Sequence, residues 1–76
     1  MDVVVLLGRN VRAFRRLRGL SQEQLALEAD MKRSYVSDLE RGTRNPTVRA
    51  VGRLAVALGV SAADLLDENA ATDGLR

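Results

Sequence analysis

The stretch from Ser21 to Gly42 reads as two short helical segments separated only by a brief turn, and it constrains the fold more than any other feature of the chain. Ser21 opens the first segment, and Gln24 follows three residues on. That is the spacing of a capping box, in which side chains and backbone satisfy each other's free groups. Leu25, Ala26 and Ala29 then supply a small inner face about two turns long. After the turn at Asp30 and Met31, the second segment runs from about Arg33 to Arg41. Its Val36 and Leu39 face inward, and Gly42 marks its end.

The flanking sequence supplies three more helical segments and no strand of comparable quality. Leu7, Val11, Phe14 and Leu17 share one face of a helix predicted from about Val3 to Arg18, and Gly19 stops it. The loop Thr43, Arg44, Asn45, Pro46 is the clear break in the pattern. Thr47 can cap a fourth segment, in which Val48, Val51, Leu54, Ala55 and Leu58 repeat at helical spacing up to Gly59. Ser61 and Asp64 form another capping-type pair for a short fifth segment containing Leu65 and Leu66. The expected fold is therefore all-α, a compact five-helix domain over residues 1–67. A flexible acidic C-terminal tail is expected over 68–76.

At 76 residues the chain is one domain whose core holds only a handful of large side chains, so its function belongs to its surface. The net charge of +2 hides a lopsided distribution. Through Val60, eleven basic residues stand against six acidic ones, an excess of +5; from Ser61 on, Asp64, Asp67, Glu68 and Asp73 outweigh Arg76. A basic body with an acidic tail suits a polyanion partner. With no Cys and no His, the chain lacks the usual zinc ligands and the usual general base. No metal, no cofactor and no enzymatic activity are expected. The apolar run Val3 to Leu7 is too short for a signal-peptide core, follows acidic Asp2, and falls far short of a membrane span, so a soluble cytoplasmic protein is expected.

Two short helices joined by a turn of about three residues, the second carrying polar side chains, form the geometry that places a helix in a DNA major groove. Arg33, Ser34, Ser37 and Asp38 project away from the Val36 and Leu39 face and are the candidates for touching base edges. Arg33 leads, because its planar fork can bond guanine O6 and N7 together. Asp38 would be repelled by phosphate unless it pairs with an arginine or accepts from cytosine N4; pairing is the favoured reading.

Four motifs carry a family resemblance: LSQEQLA at Leu20 to Ala26, RSYVSDLERG at Arg33 to Gly42, RNP at Arg44 to Pro46 and ALGVSAADLL at Ala57 to Leu66. In this order and spacing, Gly8 to Leu66 resembles the Cro/lambda-repressor-type helix-turn-helix family, also called the XRE family. Within it the chain is most similar to small stand-alone members such as the controller proteins of restriction-modification systems. The resemblance implies a lambda-repressor-like fold and a transcriptional regulator that binds a pseudo-palindromic operator in double-stranded DNA as a homodimer. Gln22 matches the family position that clamps the DNA backbone, while Lys32, Tyr35, Arg44 and Asn45 match positions bordering the groove. The resemblance also implies that Arg15 pairs with Glu40 as a structural unit.

The sequence departs from the family at the turn, where Asp30 replaces the usual glycine and Lys32 the usual Ser or Thr cap. For the dimer, Leu58, Val60, Leu65 and Leu66 offer more apolar surface than a short terminal element needs, and the Val3 to Leu6 cluster is a second candidate. The alternative reading is a protein-binding module on the same fold, antitoxin-like or coactivator-like. The basic residues beside the second short helix favour DNA.

Overall fold

The computed structural model describes residues 1–70, and among them there are five helices and no strand. In chain order these are α1 (Val3–Leu17), α2 (Gln22–Glu28), α3 (Arg33–Glu40), α4 (Val48–Leu58) and α5 (Ala62–Leu65). Residues 71–76 of the expected tail lie outside the described residues.

The helices begin where side chains can accept the free N–H groups of a first turn. Asp2 accepts from the Val4 and Val5 amides, the former at 2.8 Å, and Thr47 accepts from the Ala50 amide at 3.1 Å. Ser21 with Gln24, and Ser61 with Asp64, form complete capping boxes. Lys32 occupies the N-cap of α3 and makes no side-chain cap bond. Asp30 adopts the left-handed conformation, φ 56°, that the turn between α2 and α3 requires.

Leu25, Leu39, Leu54, Leu65, Val11 and Val36 are the large side chains at the centre of the core, where α3 packs on α1 and α2 while α4 packs on α1, α2 and α5, and α5 packs on α1 and α4. Gly8 makes the α1–α3 crossing possible: a Cβ there would lie 2.2 Å from the Leu39 carbonyl oxygen. Asn10, fully buried, donates from Nδ2 to the Leu65 carbonyl at 2.8 Å and the Asp67 carbonyl at 2.9 Å, tying α1 to the end of α5.

Three expectations about sidedness need correction. Leu17 and Val48 continue the apolar spacing of α1 and α4 but are exposed, Val48 by 89%, because each occupies a terminal turn that runs past the packed core. The four residues expected at an open dimer surface also divide. Leu58 and Leu65 are buried in the core of the single chain, Leu65 completely, and Val60 packs half-buried against them. Only Leu66, 46% exposed, presents open apolar surface. The cause is the docking of α5 on α1 and α4, which drives Leu65 into the seam and leaves its neighbour outside.

Candidate nucleic-acid interface

The geometry of α3 follows from what it buries. Val36, Leu39 and Glu40 point inward, which leaves Lys32, Arg33 and Ser34 exposed at its start and Tyr35, Ser37 and Asp38 half-buried along its flank. Arg33 forms no ion pair among the described residues, and neither does Lys32. Arg33, Gln22 and Arg15 line one open groove where the first turns of α2 and α3 meet, with Ser21, Glu23 and Gln24 on its α2 side.

A second group gathers at the other end of α3. The Arg44 guanidinium lies over the Tyr35 ring, 4.6 Å from its centroid, and reaches Asp38 at 3.5 Å. Arg41 pairs with the other Asp38 oxygen and donates to the Ser37 hydroxyl at 3.1 Å. Asp38 is thus neutralised by two arginines. Arg41 is not among the contacts expected from the sequence, although its position three and four residues beyond Asp38 and Ser37 is the ordinary signal for such contacts on a helix. Asn45 does not join this network; it lines an apolar groove with Val3, Val48 and Leu66.

Behind the first group lies Glu40, whose side chain has no exposed surface. Arg15 holds it with two bonds, Nε to Oε2 at 2.7 Å and a terminal nitrogen to Oε1 at 3.0 Å, and donates its remaining terminal nitrogen to the Leu20 carbonyl at 2.8 Å. Gln22 and Arg12 also donate to Oε1, at 3.2 and 3.4 Å. Burial pushes the Glu40 carboxyl up, but the hydrogen bonds from Arg15 and Gln22, the Arg15 charge and the Arg12 bond outweigh it and hold the group below its ordinary value. Arg12 and the Gln22 link to Glu40 had no local sequence signal, since their partners lie 28 and 18 residues away.

The surface is therefore a solvent-facing helix with a free arginine at its start, flanked by polar and cationic groups and mounted on a buried ionic hub. Residues 11–65, which run from the second half of α1 to the end of α5, match the family model described as helix-turn-helix. The chain belongs to the helix-turn-helix family of DNA-binding transcriptional regulators. It is 45% identical over 67 residues to the control protein C.BamHI of Bacillus amyloliquefaciens, covering 87% of this chain and 83% of that one. Its fold matches the crystal structure of the restriction-modification controller protein C.AhdI from Aeromonas hydrophila with a TM-score of 0.79 and 40% identity, over 82% of this chain and 94% of the other. It also matches the biofilm master regulator SinR, solved in complex with DNA, with a TM-score of 0.77 and 32% identity, over 80% and 98% of the two chains. These relatives are regulators and control proteins, and the chain is not an enzyme. Among the described residues no helix is long and apolar enough to cross a membrane, and no group of His, Cys, Asp and Glu could hold a metal ion.

Proposed function

We propose that this protein is a sequence-specific, cytoplasmic transcriptional regulator that binds a pseudo-palindromic operator as a homodimer, with α3 in the major groove. The observation that carries the reading is Arg33: exposed, without an ion-pair partner among the described residues, and at the start of a helix whose opposite face is core. It is the side chain free to make a bidentate contact to guanine. Ser34 and Ser37 supply further base or phosphate contacts. Asp38 acts by holding Arg41 and Arg44, since an unpaired carboxylate at this place would face phosphate. Gln22, Lys32, Tyr35, Arg44 and Asn45 contact the backbone and set register without reading sequence. Residues 1–67 form the DNA-binding unit and 68–76 an acidic tail. Controller proteins and a regulator bound to DNA among the relatives support the same reading.

Binding-site selection from random DNA tests it. Arg33→Ala should cost about 1 to 3 kcal/mol per half-site and abolish preference at one base pair. Arg44→Ala should weaken binding to all sequences about equally and make the salt dependence shallower, by about 0.9 in log–log slope for each phosphate that is no longer neutralised. Unchanged base preference at every position in Arg33→Ala would remove Arg33 as the principal reader.

A further inference from the structure

Two glutamines on α2, two residues apart, hold their amides in opposite senses. Gln24 turns its oxygen onto the backbone at the helix start, where Oε1 accepts the Ser21 N–H at 2.8 Å. Gln22 turns its nitrogen inward, with Nε2 3.2 Å from Glu40 Oε1. The second orientation is dictated by chemistry, because an ionised carboxylate can only accept. Glu40 cannot follow a moving partner: its side chain is fully buried and is clamped by two bonds from Arg15 and one from Arg12. An amide nitrogen carries two protons that point in different directions, so one is bound to Glu40 and the other is left for the open groove shared with Arg33.

We propose that Glu40 is a positioning residue for DNA binding: without touching DNA, it fixes the Gln22 amide so that its second N–H, and not its carbonyl oxygen, is presented to a backbone phosphate. This rests on the reading of the groove as a DNA surface. A free glutamine on an exposed first turn can offer either end of its amide, and the oxygen end is repelled by phosphate. Holding the nitrogen end in place removes that wrong orientation and the cost of ordering the side chain on contact. The Arg15–Glu40 pair therefore reaches the ligand through Gln22 as well as bracing α1 against α3.

A double-mutant cycle on a duplex of arbitrary sequence at low salt tests the link, because a phosphate contact needs no operator. Gln22→Ala should lower affinity about tenfold, the scale of a hydrogen bond to a charged group. In Glu40→Gln the one remaining oxygen is claimed by Arg15, so the introduced NH2 group faces Gln22 and turns its amide over. That variant should lose a similar factor, and the double variant should bind no more weakly than either single one. Independent, additive losses would overturn the proposal. Side-chain amide proton exchange in the free wild-type protein provides a readout that needs no variant, with Gln24 as internal reference because its NH2 group makes no bond in the capping box. Slower exchange at Gln22 than at Gln24 is expected, and equal rates would overturn the proposal even if Glu40→Gln fails to fold. Failure of the wild-type protein to bind duplex DNA at all would overturn the DNA reading and this proposal with it, whereas additive losses with binding intact would overturn the positioning role alone.

Discussion

Glu40 shows how the value of one charge depends on its surroundings. With its side chain sealed from solvent, it depends on Arg15, itself only 11% exposed in its side chain, far more than on Arg12, which is 42% exposed. Removing one partner of a shielded pair strands the other, which costs about 3 kcal/mol, whereas an exposed ion pair contributes about 0 to 1 kcal/mol. Urea titration should therefore find Arg15→Ala destabilised by about 3 kcal/mol and Arg12→Ala by less than about 1 kcal/mol. Equal losses would show that Arg12 shares the pairing evenly. The same hub sets a pH response. Because the folded carboxyl titrates below its ordinary value of 4.5, its stabilisation is complete above that value and is lost as pH falls through the folded one. Stability should decline on acidification below 4.5. The decline should be shallower in Glu40→Gln, as read from urea midpoints at successive pH values.

At the level of the helices, what is legible in the sequence is what is written locally. Ser21 with Gln24, Thr47, Ser61 with Asp64, and the glycines at 19, 42 and 59 each act within a few residues of a helix end, so the five helices begin and end within a residue or so of their expected places. The contacts between helices carry no such mark. Gly8 beneath the Leu39 carbonyl, Asn10 on the Leu65 and Asp67 carbonyls and Arg12 on Glu40 all join residues far apart in sequence. Apolar spacing alone also placed Val48 on the core side, because periodicity continues along a helix after its packing partner has ended. The candidate DNA surface divides the same way: α3 periodicity separates Arg33 from the core, but the capture of Gln22 by Glu40 needs the folded chain. Lys32 tests a conflict within one element. It stands in extended N-cap geometry without capping α3, so Lys32→Ser should add about 1 kcal/mol of stability and raise the melting temperature by roughly 4 to 8 °C. The same change should weaken binding to any duplex, because it removes a cation from the groove edge. A variant that melts higher and binds as well as wild type would show that Lys32 makes no phosphate contact.

Taken whole, the described molecule measures 27 × 25 × 18 Å, and one copy carries one α3, eight residues long, as its proposed DNA-reading helix. Half-sites read by paired helices of this kind lie about 34 to 36 Å apart, one turn of DNA, so two copies side by side match that separation better than one copy can. The apolar surface suited to joining them is narrower than the leucines of the C-terminal third suggest. Leu58 and Leu65 are already committed to the core, whereas Leu66, Val3 and Val48 are exposed and line one groove beside the loop that follows α3. Contact there would bring the two loops carrying Asn45 close to the two-fold axis, since Asn45 lines the same groove. Leu66→Asp with Val48→Asp should therefore shift the sedimentation mass from dimer to monomer with helical content unchanged. It should also weaken binding to DNA fragments selected by the wild-type protein, since each monomer then binds a half-site alone. Leu65→Asp should instead unfold the chain, because it places a charge at a fully buried position among Val11, Leu54 and Leu58. A dimer mass that persists in the folded Leu66→Asp, Val48→Asp variant would place the interface elsewhere. The first alternative surface to test would then be the remaining exposed residues of the α1 start, Val5 among them.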